Sequence, residues 1–74
     1  MDEKVTGYRK ITNELVRNGT GKDWRDWFQI LDRWNVHIKG HSYTVRYLQR
    51  HHGLSRWWAV AVTLRYEREK GIKR

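Results

Sequence analysis

The 74-residue sequence contains no cysteine and no proline, and its second half has almost no acidic residues. Without cysteine, neither disulfide bonds nor thiolate-bound metals can stabilise the fold. The longest nearly apolar run, residues 57–64, has eight residues and includes Thr63, whereas a helix that crosses a bilayer needs about twenty. The first ten residues are polar and lack the apolar stretch of a signal peptide. We therefore expect a cytoplasmic protein with no membrane partner.

Aromatic residues are plentiful: the chain has five Trp, four Tyr and one Phe. Each aromatic side chain removes roughly 150–250 Å² from water when it is buried. A few of them suffice for the core of a chain that lies near the lower size limit for independent folding. We expect a single domain over residues 1–74, with a loose N-terminus over residues 1–10.

Capping residues and the spacing of apolar residues predict four helices, over residues 12–18, 24–35, 42–52 and 56–70. Thr12 and Asp23 are typical N-caps of the first two helices, and Gly19 is the predicted end of the first. Five apolar residues of the second helix recur three and four positions apart, so we assign them to the core rather than to a base-stacking surface. They are Trp24, Trp27, Phe28, Leu31 and Trp34.

The segment HHGLSRWW predicts a sharp corner between the last two helices. Gly53 is the expected left-handed residue, Leu54 the apolar residue that packs behind it, and Ser55 the N-cap of the next helix. Trp57 and Trp58, in the first turn of that helix, are both assigned to the core. The predicted fold class is all-α: a compact four-helix domain whose last two helices form a helix-turn-helix-like corner.

Positive charge is concentrated in the second half of the chain. Residues 1–38 contain seven Lys/Arg and six Asp/Glu, a net charge of +1, whereas residues 39–74 contain nine and two, a net charge of +7. Ten of the sixteen cations are Arg, the side chain best suited to bidentate phosphate and guanine contacts. This asymmetry favours a nucleic-acid-binding protein that acts through residues 39–74. DNA, in a chromatin or regulatory role at the nucleoid, is favoured over RNA.

One side of the last predicted helix is small, polar and basic, as expected of a helix that enters the major groove. Arg56 would reach a base edge there, and Ala59 or Thr63 would touch a thymine methyl group. On the preceding helix, Tyr43 and Tyr47 form a pair that is expected to be partly exposed. The candidate nucleic-acid-binding residues are Arg46, Arg50, Ser55, Arg56, Ala59, Thr63, Arg68, Lys70, Lys73 and Arg74.

Two stretches carry a resemblance to a family: TGKDWRDWFQILDRW and KGHSYTVRYLQRHHGLSRWWAVAVTLRYEREKG. The motifs W-x-x-W, L-D-x-W, G-H, H-G, W-W-A, V-T and Y-E resemble those of an uncharacterised small domain of bacteria and archaea, over residues 11–74. The resemblance implies an all-α fold and brings no known activity. It also implies that members occur alone or beside START-like domains of the heat-shock ATPase activator type. Members read WWAQ and VGYE where this chain has WWAV and LRYE, so Val60 and Arg65 depart from the pattern.

Catalysis and metal binding have little support in the sequence. His51 and His52 are adjacent, so they point about 100° apart on a helix, and His41 is expected to help cap the third helix. There is no glycine-rich phosphate loop, and so small a core leaves little room for a water-excluding pocket. We expect no enzyme, metal, cofactor or small-molecule substrate. The alternatives to a DNA-binding protein are an RNA- or ribosome-associated protein and a protein–protein module that docks an acidic partner.

Overall fold

The computed structural model describes residues 11–72, which form five helices and no strand within that range. The helices are α1 (Asn13–Thr20), α2 (Trp24–Trp34), α3 (Val36–Lys39), α4 (His41–His51) and α5 (Arg56–Lys70). The predicted all-α class is confirmed, and the four predicted helices begin and end within two residues of α1, α2, α4 and α5. The short α3 is additional, in a segment that was expected only to connect its neighbours. The predicted loose N-terminus, residues 1–10, lies outside the described residues.

Three side-chain caps determine where helices begin. In each of them a side-chain oxygen accepts a hydrogen bond from the backbone N–H three residues later, at 3.1–3.3 Å. The capping side chains belong to Thr12, Asp23 and Ser55. Each cap satisfies one of the backbone N–H groups that the first turn of a helix leaves unpaired. All three predicted caps are confirmed.

The end of α1 lies beyond the residue predicted for it. Gly19 is inside the helix, which ends at Thr20 and is followed by Gly21 with a φ of +89°. Gly19 is needed for a different reason: a Cβ atom at this position would overlap the indole ring of Trp58. Glycine therefore allows α1 and α5 to approach closely here.

The helix α5 is the central element of the fold. Its buried residues lie on several sides of the helix rather than on one stripe: Ala59, Ala61, Val62, Thr63, Tyr66 and Glu67. The prediction that α5 exposes a small, polar and basic side is therefore wrong for Ala59 and Thr63, which are fully buried. The Thr63 hydroxyl donates a hydrogen bond to the Ala59 carbonyl at 2.8 Å, so its burial leaves no polar group unpaired. Within residues 11–72, no helix has both the length and the apolar character needed to cross a membrane.

The five tryptophans divide between the core and the surface. Trp24 and Trp27 are buried, and Trp34 and Trp58 are partly buried against the core. The assignment of the second helix's apolar stripe to the core is thus confirmed, with Trp34 at its margin. Trp57, by contrast, is 43% exposed, so the prediction that both members of the WW pair are core residues is wrong for Trp57. Successive side chains on a helix point about 100° apart, and it is Trp58 that faces α1.

Gly53 forms the left-handed corner between α4 and α5, as predicted, with a φ of +68°. No atom of residues 11–72 lies within 4 Å of the place that a Cβ would occupy, so we expect a substitution to act through backbone strain. We expect Gly53→Val to lower the free energy of unfolding by about 1–2 kcal/mol, and Gly53→Asn to lower it less, because Asn tolerates this conformation. Chemical denaturation of both variants measures the difference. Equal losses would show that strain at Gly53 is not the cause.

Candidate functional site

The helix α4 has a buried side and an outward side. Thr44, Val45 and Leu48 are buried against the rest of the domain. Residues three and four positions apart share one side of a helix, and the outward side of α4 follows that spacing with alternating aromatic and basic residues. We call this set the α4 face: Tyr43, Arg46, Tyr47, Arg50 and His51.

Within residues 11–72, no carboxylate forms an ion pair with the arginines of the α4 face. No acidic residue occurs in the sequence between Asp32 and Glu67. The ion pairs within residues 11–72 involve other cations, and none includes Arg46, Arg50 or Arg56. Uncompensated guanidinium groups on one side of a small domain create a local positive potential that attracts anions.

A cavity of about 210 Å³ lies between α4 and the start of α5. Because the chain turns back at Gly53, this cavity brings together Arg46 and Arg56, which are ten residues apart in sequence and belong to different helices. The remaining lining residues are His41, Ser42, Val45, Gln49 and Val60. The cavity therefore offers several hydrogen-bond donors to one ligand. We call it the corner cavity.

His41 joins the corner cavity to a buried carboxylate. Its Nδ1 lies 3.2 Å from Oε1 of Glu67, a buried residue in the last turn of α5. The prediction that His41 caps its helix is wrong, since Gly40 is the N-cap residue of α4 and no side chain caps the helix. His37 precedes His41 by four residues, but the two belong to different helices, α3 and α4, and so do not share one helix face. Residues 11–72 contain no cluster of three His, Asp or Glu side chains that could hold a metal ion.

A second, shallower hollow of about 150 Å³ lies on the α4 face. Trp34, from the end of α2, stacks face to face on Tyr47, with ring centroids 3.9 Å apart and planes 9° apart. Arg46 lines both this hollow and the corner cavity, so the two form one continuous surface. We call this second site the aromatic hollow; its lining is Trp34, Tyr43, Arg46, Tyr47, Arg50 and His51.

Contacts behind the aromatic hollow hold the Trp34–Tyr47 stack in place. The indole Nε1–H of Trp34 donates to Oγ1 of Thr44 at 2.9 Å, and the Thr44 hydroxyl donates to the Gly40 carbonyl at 2.7 Å. The Lys39 ammonium lies 4.3 Å from the centroid of the Trp34 ring, a cation–π contact. The orientation of both rings is thus fixed by the protein itself.

Some of the predicted binding residues lie together and others are excluded. Arg46, Arg50 and Arg56 lie along the two adjoining cavities. Ser55 is next to them, with its hydroxyl occupied as the N-cap of α5. The prediction that Ala59 and Thr63 touch bases is wrong, because both side chains are fully buried within the core.

Two of the remaining predicted cations, Arg68 and Lys70, are not part of this surface. Arg68 lies twelve residues after Arg56 on α5, which is about 18 Å along the helix. Lys70 lies farther along, and its Nζ is 3.6 Å from Oδ1 of Asp32 on α2. Two further predicted residues lie outside the described range: Lys73 and Arg74.

Sequence reasoning did not find the aromatic part of the site. The spacing of α2 places Trp34 in the apolar stripe that faces the core. Because Trp34 is the last residue of α2, its ring can also stack on Tyr47. A usable signal was present on α4, where Tyr43, Arg46, Tyr47 and Arg50 follow one another three or four residues apart. That spacing predicts a shared face, but not the indole ring that completes it.

Residues 11–72 thus define a small all-helical domain with a basic, aromatic surface. The chain belongs to the family described as Domain of unknown function (DUF4287), whose model matches residues 13–68. The match includes every residue that lines the two cavities. Searches of curated proteins and of solved structures gave no match. The resemblance to an uncharacterised domain family is confirmed at that level, and membership assigns no activity.

Proposed function

We propose that the protein binds nucleic acid through the α4 face and Arg56. The observation that carries this proposal is the convergence of Arg46, Arg50 and Arg56 around two adjoining cavities, with none of them in an ion pair within residues 11–72. Arginine binds phosphate through parallel hydrogen bonds. When such a cluster neutralises phosphates, the release of counterions drives binding and makes it strongly dependent on salt.

The corner cavity supplies the groups that a backbone phosphate needs. Arg46 and Arg56 offer guanidinium donors, and Ser42 and Gln49 add neutral donors in the same lining. From a phosphate held there, the nucleic-acid backbone would run along the α4 face towards Arg50, which lines the adjoining hollow. The surface therefore suits a chain of phosphates better than a single small anion.

The predicted preference for DNA over RNA depended on Ala59 and Thr63 entering the major groove. Because both are buried, α5 has no small polar face to offer to base edges. In this proposal the helix–Gly53–helix corner brings Arg46 and Arg56 together, and its second helix does not enter a groove. Nucleic acid remains the proposed ligand, with DNA and RNA as equal candidates.

Charge reversal tests the proposed surface. Arg46→Glu and Arg56→Glu should each weaken binding of a short duplex or a structured RNA by about tenfold or more. A hydrogen bond to a charged group contributes about 1.5–3 kcal/mol, and about 1.4 kcal/mol corresponds to tenfold in affinity. Fluorescence anisotropy at several salt concentrations measures the effect. The slope of log K against log salt should fall by about 1 for each phosphate contact that is lost.

Arg25→Glu is the matched control. Arg25 is an exposed arginine at the start of α2, and it lies about 13 Å along that helix from Trp34. The control makes the same change in net charge, so it should weaken binding much less than the other two variants. Equal losses from all three variants would contradict a localised surface.

No binding by the parent protein at low salt would end the nucleic-acid proposal in favour of a protein–protein module. The basic surface would then dock an acidic partner, and the ring of Tyr43, which is 64% exposed on the α4 face, would add contact area. The sequence resemblance implies START-like domains as neighbours of such chains, so a START-like domain would be the first partner to test.

A further inference from the structure

The aromatic hollow points to a ligand more specific than a chain of phosphates. We propose that it holds an unpaired nucleobase of a single-stranded nucleic acid, with Arg46 and Arg50 on the phosphates that flank this base. The inference rests on the proposed function, nucleic-acid binding. It adds that bases of the ligand, and not only its backbone, contact the protein.

The chemistry of the lining supports a base. Four of its six side chains are aromatic rings, and the other two are arginines. Aromatic rings stack on any nucleobase because every base has a π face, and guanidinium groups add cation–π attraction. Tyr43 is 64% exposed at the edge of the hollow, so its ring is accessible to a ligand. A surface that only attracted phosphates would need the arginines and not the rings.

The hollow is also preorganised. The Trp34 ring is held by its hydrogen bond to Thr44 and by its stack on Tyr47. A ligand that stacks on rings already fixed in this way loses less free energy to ordering the site. Trp34 and Tyr47 therefore form a fixed aromatic wall of the hollow, and Tyr43 adds an exposed ring that a base can stack on.

The size of the hollow favours unpaired bases. At about 150 Å³ it has room for one ring system and not for a base pair. A base within a duplex is covered on both faces by its neighbours, so it can stack on protein rings only after it leaves the helix, at a cost of a few kcal/mol. Single strands, loops and ends present the base without that cost.

Abasic oligonucleotides separate base contacts from phosphate contacts. We would compare binding of oligothymidylate, oligouridylate, an abasic oligonucleotide with the same number of phosphates, and a duplex of the same length. A single stacked base contributes about 1–3 kcal/mol, so the base-containing single strands should bind about 5- to 150-fold more tightly than the abasic strand. They should also bind more tightly than the duplex, because the bases of the duplex are already stacked and paired.

Variants of Tyr43 assign this difference to the hollow. Tyr43→Ala should weaken binding of base-containing strands and leave binding of the abasic strand unchanged, whereas Tyr43→Phe should behave like the parent. Leu15→Ala, which shortens an exposed apolar side chain on α1, should change neither. Because Tyr43 is exposed, loss of folding does not confound the result, and circular dichroism checks this.

The possible failures are distinguishable. If the abasic strand or the duplex binds as tightly as the base-containing strands, the base inference is overturned and the proposed phosphate contacts stand. The inference is also overturned if Tyr43→Ala binds as tightly as the parent. If no nucleic acid binds at low salt, the proposed function and the inference both fail.

Discussion

Replacing Trp27 with alanine should lower the free energy of unfolding by about 3–5 kcal/mol, the range typical of emptying a buried aromatic site. Trp27 is only 1% exposed. Its Nε1–H donates to the Thr20 hydroxyl at 2.8 Å, and its ring meets that of His52 edge to face at 5.3 Å. Since small domains have about 5–15 kcal/mol in total, this loss is a large share. Urea denaturation followed by circular dichroism measures it.

Trp57→Ala is the control for that experiment. Both variants remove an indole ring. Because Trp57 is 43% exposed, folding buries much less of its side-chain surface than it buries of Trp27. We expect a loss well below that of Trp27→Ala, because the transfer and cavity terms both scale with the buried part of the side chain. Similar losses would contradict the assignment of Trp27 to the core and of Trp57 to the surface.

Three of the helix starts could be predicted because they depend on local chemistry. A cap is complete within four residues, so Thr12, Asp23 and Ser55 carry their own signal. The apolar stripe of α2 is equally local, since its residues repeat along one helix. The helix α3 has only four residues and is too short to show any periodicity.

The prediction of an outward face on α5 was wrong because a helix that is buried on several sides has no single apolar stripe that shows which side faces the core. The sequence pattern places small residues such as Ala59 on an exposed side, but small residues also allow the close packing that a central helix needs. Thr63 satisfies its hydroxyl on the carbonyl four residues earlier, a local bond that makes threonine compatible with a core. The sequence pattern does not distinguish a small polar surface from a small packed interface.

The basic part of the candidate site could be predicted, but its aromatic part could not. Arg46 and Arg50 follow from the spacing of α4 alone, and Arg56 follows from its position after the Ser55 cap. The aromatic hollow depends on Trp34 of α2 meeting Tyr47 of α4. That is a tertiary contact, which no local pattern in either helix specifies.

Tyr66 joins α5 to α2, and Tyr66→Phe should lower the free energy of unfolding at neutral pH by about 1.5–3 kcal/mol, as expected for a hydrogen bond to a charged group. The buried phenol donates to the Asp32 carboxylate, and its ring packs edge to face on Phe28 with centroids 5.2 Å apart. Phenylalanine keeps the ring contact and removes only the hydroxyl. Urea denaturation of the parent and the variant measures the difference.

The same variant should also change how stability depends on pH. Burial, together with the hydrogen bond and negative charge of Asp32, raises the pKa of Tyr66 from 10.0 to about 12. Since the folded pKa lies above the unfolded one, the stabilisation is fully present below about pH 10 and is lost as pH rises through about 12. The difference between the parent and Tyr66→Phe should therefore shrink over that range. Tyr43→Phe, which alters an exposed tyrosine, should change the free energy of unfolding at neutral pH only slightly. A parent–Tyr66→Phe difference that stayed the same up to about pH 12 would contradict the bond to Asp32 as its source.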